Sequence, residues 1–116
     1  MDRNNTFIPK QDLPYKPLHL VLNSHWYNAI TQLDKDEEYR AYTAYYRRRL
    51  CHYGDISGQY VIFKQWTHLV IHKGYTSITT QYPIKELKVD YGKSMWGAPT
   101  DKKVFVIKVD KSQTRA

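Results

Sequence analysis

Cysteine is almost missing from this chain: Cys51 is the only one in 116 residues, so no intrachain disulfide can form and no thiolate zinc set is available. A reducing, cytoplasmic setting fits that usage. Long apolar runs are missing as well. The mean hydropathy is −0.70, and no stretch resembles a signal peptide or a membrane span, so a soluble, cytoplasmic protein without a membrane partner is expected. No Walker or Rossmann glycine pattern, internal repeat or low-complexity segment occurs. Acidic side chains are scarce beside basic ones: 11 Asp and Glu stand against 18 Lys and Arg, a formal charge of +7. Such an excess favours acidic partners, with nucleic acid first among them. Aromatic residues are abundant: eleven tyrosines, three tryptophans and three phenylalanines add stacking surface to the positive field. Most of them have a plainer use, as filling for a small core.

At this length the chain suits one domain with one core. Residues 1–17, with Pro9, Pro14 and Pro17 and little apolar surface, read as an extended tail; residues 18–110 carry the domain, and 111–116 form a C-terminal tail. Leu18 to Leu22 reads as a buried first strand. Asn23 or Ser24 can cap a helix in which Trp26, Ile30 and Leu33 recur at i, i+4 and i+7, one stripe for the core. Thr43 can cap a second, short helix carrying Tyr45, Tyr46, Arg49 and Leu50. Gly54 to Gly58 is a loop, and Tyr60 to Phe63 fits either a helical turn or a strand. From Thr67 the chain becomes β-rich: Leu69 to Ile71, a turn at Gly74, then Ser77 to Thr80. Pro83 is expected to interrupt pairing before Leu87 to Tyr91. Residues 92–99 form a loop, and Val104 to Val109 is a last strand expected to pair with the first. The pattern gives an α+β fold.

Lys35, Glu38 and Arg40 fall within six positions, directly after the first apolar stripe. If residues 37–42 are extended, Glu38, Arg40 and Tyr42 share one face, and Glu37, Tyr39 and Ala41 the other. Neighbouring charges on a face then lie about 7 Å apart, a spacing suited to a small polar ligand. Spacing alone also allows an exposed ion-pair cluster of little energetic value. Arg47, Arg48 and Arg49 cannot share a face at about 100° per residue, so at most one or two serve one site. Lys73 and Tyr75 flank Gly74, where a backbone can approach a ligand closely. Trp96 can stack on a base or pack against the fold. His68 and His72, on a strand, lie about 13 Å apart, beyond the reach of one metal. Cys51 and His52 are sequence neighbours, poor geometry for a nucleophile and its base. No metal and no cofactor is expected.

The stretch from Leu33 to Arg40 resembles the signature of the ASCH domains, Gly-x-Lys-x-x-Glu-x-Arg, with Lys35, Glu38 and Arg40 on its charged positions and Leu33 in place of the glycine. A helix preceding Leu33 must therefore end without the left-handed residue a glycine supplies. The resemblance continues through Tyr45, Tyr46, Arg49 and Leu50, and resumes at Val70 to Tyr75, at Tyr91-Gly92-Lys93, at Trp96 to Pro99 and at Val104 to Lys108, covering most of residues 18–110. It implies a PUA-like β-barrel of five or six strands with two helices on one side and a cleft between them that holds the three charges.

In such a cleft Lys35 acts as a base of lowered pKa or as a point charge on phosphate. Glu38 orients or neutralises it, and Arg40 forks onto phosphate or a base edge. The nucleic-acid contacts implied are Lys35, Glu38, Arg40, Tyr42, Arg49, Lys73, Tyr75 and Trp96. The leading function is a module that binds RNA, single-stranded nucleic acid or a nucleotide. The second is a small metal-independent ribonuclease using Lys35 and Glu38. An acetylcytidine amidohydrolase ranks lower, because in those relatives a threonine nucleophile stands three residues after the lysine, and Glu38 occupies that place. The third reading is a protein-interaction factor with a basic surface.

Overall fold

The computed structural model describes residues 13–52 and 61–113. In strand β1 (Pro17–Leu22), Leu18, Leu20 and Leu22 are buried while His19 and Val21 face outward, the alternation of a strand with one face on the core. Helix α1 (Ser24–Gln32) follows, its first turn capped by the Asn23 side chain, which accepts the Trp26 N–H at 2.9 Å. Strand β2 (Glu37–Ala41) leads to helix α2 (Ala44–Leu50), where Thr43 caps by accepting the Tyr46 N–H at 3.2 Å. Strands β3 (His68–Lys73), β4 (Thr79–Asp90) and β5 (Val104–Val109) complete the sheet. The loop expected around Gly54 to Gly58 lies outside the described residues. Of the ambiguous stretch after it, Phe63 makes an isolated antiparallel bridge to Cys51.

The strand order is β1-β3-β4-β5-β2. The last strand does not pair with the first: β5 has β4 on one edge and β2 on the other, which uses both its ladders. β1 pairs instead with β3, in parallel. A parallel pair needs a long crossover, and the segment holding α1, β2 and α2 provides it. Pro83 does not break the fourth strand. β4 runs through it, pairing with β3 up to Pro83 and with β5 from Ile84, with a register shift between Ile84 and Glu86. The N–H that proline lacks therefore falls at the end of the β3 ladder, where the strand changes partner. Among the described residues the result is a curled, five-stranded mixed sheet, a half-barrel, with two α-helices.

The core is built from Leu20, Ile30, Leu50, Ile71, Phe105 and Ile107 with their neighbours. Leu33 is not part of it. The chain leaves the helix at Leu33 in an extended conformation (φ −119°, ψ −160°), and the side chain is 67% exposed. Tyr27, Ala29 and Ile30 form the buried face of α1 instead, with the Tyr27 hydroxyl 2.5 Å from Thr80 Oγ1. Residues flanking the expected domain are also held to it. Lys16 N–H donates to Thr67 Oγ1 at 2.8 Å, and the Tyr15 ring lies 4.9 Å from that of His68. Lys111–Gln113 forms a 3-10 turn after β5. Among the described residues no helix is long and apolar enough to cross a membrane.

Candidate functional site

The backbone on either side of Lys35 dictates where its side chain goes. Its N–H donates to Ala29 O, a carbonyl of the last turn of α1, at 3.3 Å. Its own carbonyl accepts Lys111 Nζ at 3.1 Å, and the same ammonium reaches Leu33 O at 2.7 Å. Lys111 thus satisfies carbonyls at a helix end that has no glycine cap. One residue on, Asp36 O accepts the Val109 N–H at 2.9 Å and starts β2 against β5. Fixed in this way, the Lys35 side chain points inward and is 1% exposed.

Inside, Lys35 Nζ lies 2.7 Å from Glu38 Oε1 and donates to Glu37 O. It also faces the rings of Trp26 and Tyr39, each 5.4 Å from the ammonium. Glu38 Oε2 receives Arg40 Nη1, which also donates to Tyr39 O at 2.7 Å, while Arg40 Nη2 donates to Val21 O at 3.1 Å. Glu38 and Arg40 do share a face of β2, but their long side chains fold into contact and leave no ligand-sized gap between them. On the opposite face, Tyr39 donates to Glu37 Oε1 at 2.7 Å and accepts the Lys93 N–H at 3.0 Å. Burial lowers the Lys35 pKa, with Glu38 pulling the other way. Burial also raises that of Tyr39, with the Glu37 hydrogen bond acting in the same direction.

A loop seals this network. Gly97, at φ +97°, lies so close to Trp26 that an added Cβ would stand 2.8 Å from Cζ2. At Gly92 a Cβ would stand 2.5 Å from Tyr39 Cε1. Both positions exclude a side chain. The loop thereby packs directly on the two rings that face Lys35.

Next to the sealed network lies an open groove of about 370 Å³. Tyr39, Arg40 and Tyr42 line it from the end of β2, and Pro99, Lys102 and Lys103 from the loop before β5. The Arg47 guanidinium sits 5.5 Å from the Tyr42 ring, whose other neighbour is Phe105 at 5.1 Å. Of the residues singled out in the sequence, Lys35, Glu38 and Arg40 meet in the network, and Arg40 and Tyr42 meet in the groove. The others lie apart from its lining. Arg49 donates to His19 O, two residues before the Val21 carbonyl held by Arg40. Lys73 stands 5.9 Å over the Tyr27 ring, Tyr75 is 98% exposed at the β3–β4 turn, and Trp96 carries Lys93 over its ring at 4.3 Å. Sequence reasoning missed Lys102 and Lys103. A basic doublet directly before a strand, in a loop that also carries Trp96 and Pro99, is the signal that could have found them.

His68 and His72 both lie on β3, as a strand spacing requires, and His72 Nε2 meets His19 Nδ1 of β1 at 2.8 Å. Among the described residues no group of three or more His, Cys, Asp or Glu could hold a metal. No family model, curated protein or solved structure matches the chain.

Proposed function

We propose that this protein is an ASCH-like, PUA-like module that binds single-stranded nucleic acid, RNA foremost, on the surface around the Tyr42–Lys103 groove. The observation that carries the reading is the make-up of that groove: cationic Arg40, Lys102 and Lys103 line it together with the aromatic Tyr39 and Tyr42, on a chain of net charge +7. Phosphates require the first kind of group and unstacked bases the second. Lys35 and Glu38 support the groove from within: their partners fix β2, and so fix Arg40 and Tyr42. A reducing cytoplasm accords with the single, buried Cys51 thiol.

The ribonuclease reading asks Lys35 and Glu38 to meet a substrate, and no observation favours it, since both are buried and paired with each other. The test of the binding reading is a titration of the purified protein with fluorescent single-stranded RNA, single-stranded DNA and duplex DNA at low salt. The expected order is single strands above duplex, because a duplex offers no unstacked base to the groove tyrosines. Absence of any binding, or a preference for duplex, contradicts it. Product formation followed in the same samples reports any cleavage.

A further inference from the structure

We propose that the groove is built for one nucleotide carrying a terminal phosphate monoester, with Lys102 and Lys103 as the phosphate contacts. The inference rests on the nucleic-acid reading above and narrows it. Its first support is size. A volume of about 370 Å³ sits at the small end of the roughly 300–1,000 Å³ typical of small-ligand sites. A groove that tracks a strand covers about 4–16 nucleotides per module, and this one holds a single unit.

The second support is the distribution of charge. Arg40 is already committed to Glu38, Tyr39 O and Val21 O. Lys102 and Lys103 are exposed, and among the described residues neither forms an ion pair, although Asp101 is their chain neighbour. The Lys103 ammonium lies 5.8 Å from the Tyr91 ring. Among the described residues no carboxylate lines the groove. Two lysines adjacent in the chain match a monoester, whose charge at pH 7 is about −1.5 to −2, better than an internal diester with its single charge. Besides Arg40 and Thr43, the remaining lining is aromatic or apolar, with Tyr39, Ala41, Tyr42, Gly97, Pro99 and Val104 on the side where base and sugar would lie.

A terminal monoester has two sources, a free mononucleotide and the end of a strand. Calorimetric titration distinguishes them with four probes: adenosine monophosphate, and an RNA trinucleotide carrying a 5′-phosphate, a 3′-phosphate or neither. The expected result is that at least one phosphorylated trinucleotide binds about 10- to 100-fold more tightly than the unphosphorylated one, the effect of one or two charge-assisted hydrogen bonds. That preference should shrink near pH 5, where the monoester has gained a proton (second pKa about 6). Adenosine monophosphate matching the phosphorylated trinucleotide identifies the free nucleotide as sufficient; much weaker binding assigns the site to strand ends. In the Lys102→Gln/Lys103→Gln variant, with an unchanged melting temperature, the preference should vanish. Equal affinity for all three trinucleotides, or a preference that survives in the folded variant, overturns the inference and leaves the binding reading standing. No binding of longer single-stranded RNA at low salt removes both.

Discussion

Lys35 is a side chain whose number of charged neighbours says less than its burial. Spacing alone reads it as part of an exposed cluster, whose loss costs little. At 1% exposure its ammonium is desolvated and depends on Glu38, Glu37 O and two aromatic faces. Breaking a buried pair from one side costs about 3–5 kcal/mol. Lys35→Ala is expected near the lower end of that range, because Arg40 continues to neutralise Glu38. Urea denaturation checks it, and a loss below about 0.5 kcal/mol, the level of an ordinary surface change, would show the lysine to be solvated. The tyrosine beside it governs alkaline behaviour. Tyr39 has its folded pKa raised above the ordinary 10.0, so between those values the folded state keeps a proton that the unfolded state has lost, and stability falls as pH rises past 10. Tyr82 acts in the same direction. Lys35, whose folded pKa is lowered from 10.5, acts oppositely: the unfolded state holds the extra proton, and stability rises with pH up to about 10.5. Midpoints of urea unfolding measured from pH 8 to 11 should therefore decline above pH 10 in the wild type and less steeply in Tyr39→Phe. Parallel curves for the two proteins would remove Tyr39 from this role.

Helix α1 shows how far local pattern reaches. Its start was legible, because Asn23 is a good cap whatever the rest of the chain does. Its end was not. The stripe Trp26, Ile30, Leu33 continues by periodicity, but the backbone turns extended at Leu33 so that Lys35 can enter the interior, and Lys111, 78 positions along the chain from Leu33, takes over a carbonyl at the helix end. No window of the sequence around residue 33 contains that partner. Ile30→Ala should cost about 2–5 kcal/mol, the range for truncating a buried branched side chain. Leu33→Ala should stay within about 0.5 kcal/mol. Equal losses in chemical denaturation would put Leu33 back on the core face. The same contrast holds in the sheet: β1, β3 and β5 are legible as short apolar segments, whereas β1 pairing with β3 and β4 continuing through Pro83 to change partners depend on which edges the crossover leaves open.

The complete half-barrel has its edge strands β1 and β2 bridged by a side chain, since Arg40 donates to Val21 O, with Arg49 of α2 holding His19 O beside it. Lys35, Glu38 and Arg40 were visible as a cluster in the chain. Their division into a sealed support and an open groove was not, because it depends on the loop from Gly92 to Gly97 lying over Tyr39 and Trp26. Lys102 and Lys103 became candidates only once β5 carried them across from Tyr42. If the groove and its surroundings hold phosphates, binding must release counterions, by about 0.7 in the slope of log affinity against log salt for each contact to a single strand. The decisive measurement is that slope for single-stranded RNA, compared between the wild type and Lys102→Gln/Lys103→Gln. A steep negative slope is expected in the wild type, shallower by about 0.7 in the variant if both lysines hold one phosphate and by about 1.4 if they hold two; a flat wild-type slope, or the same slope in both proteins, would overturn the binding reading.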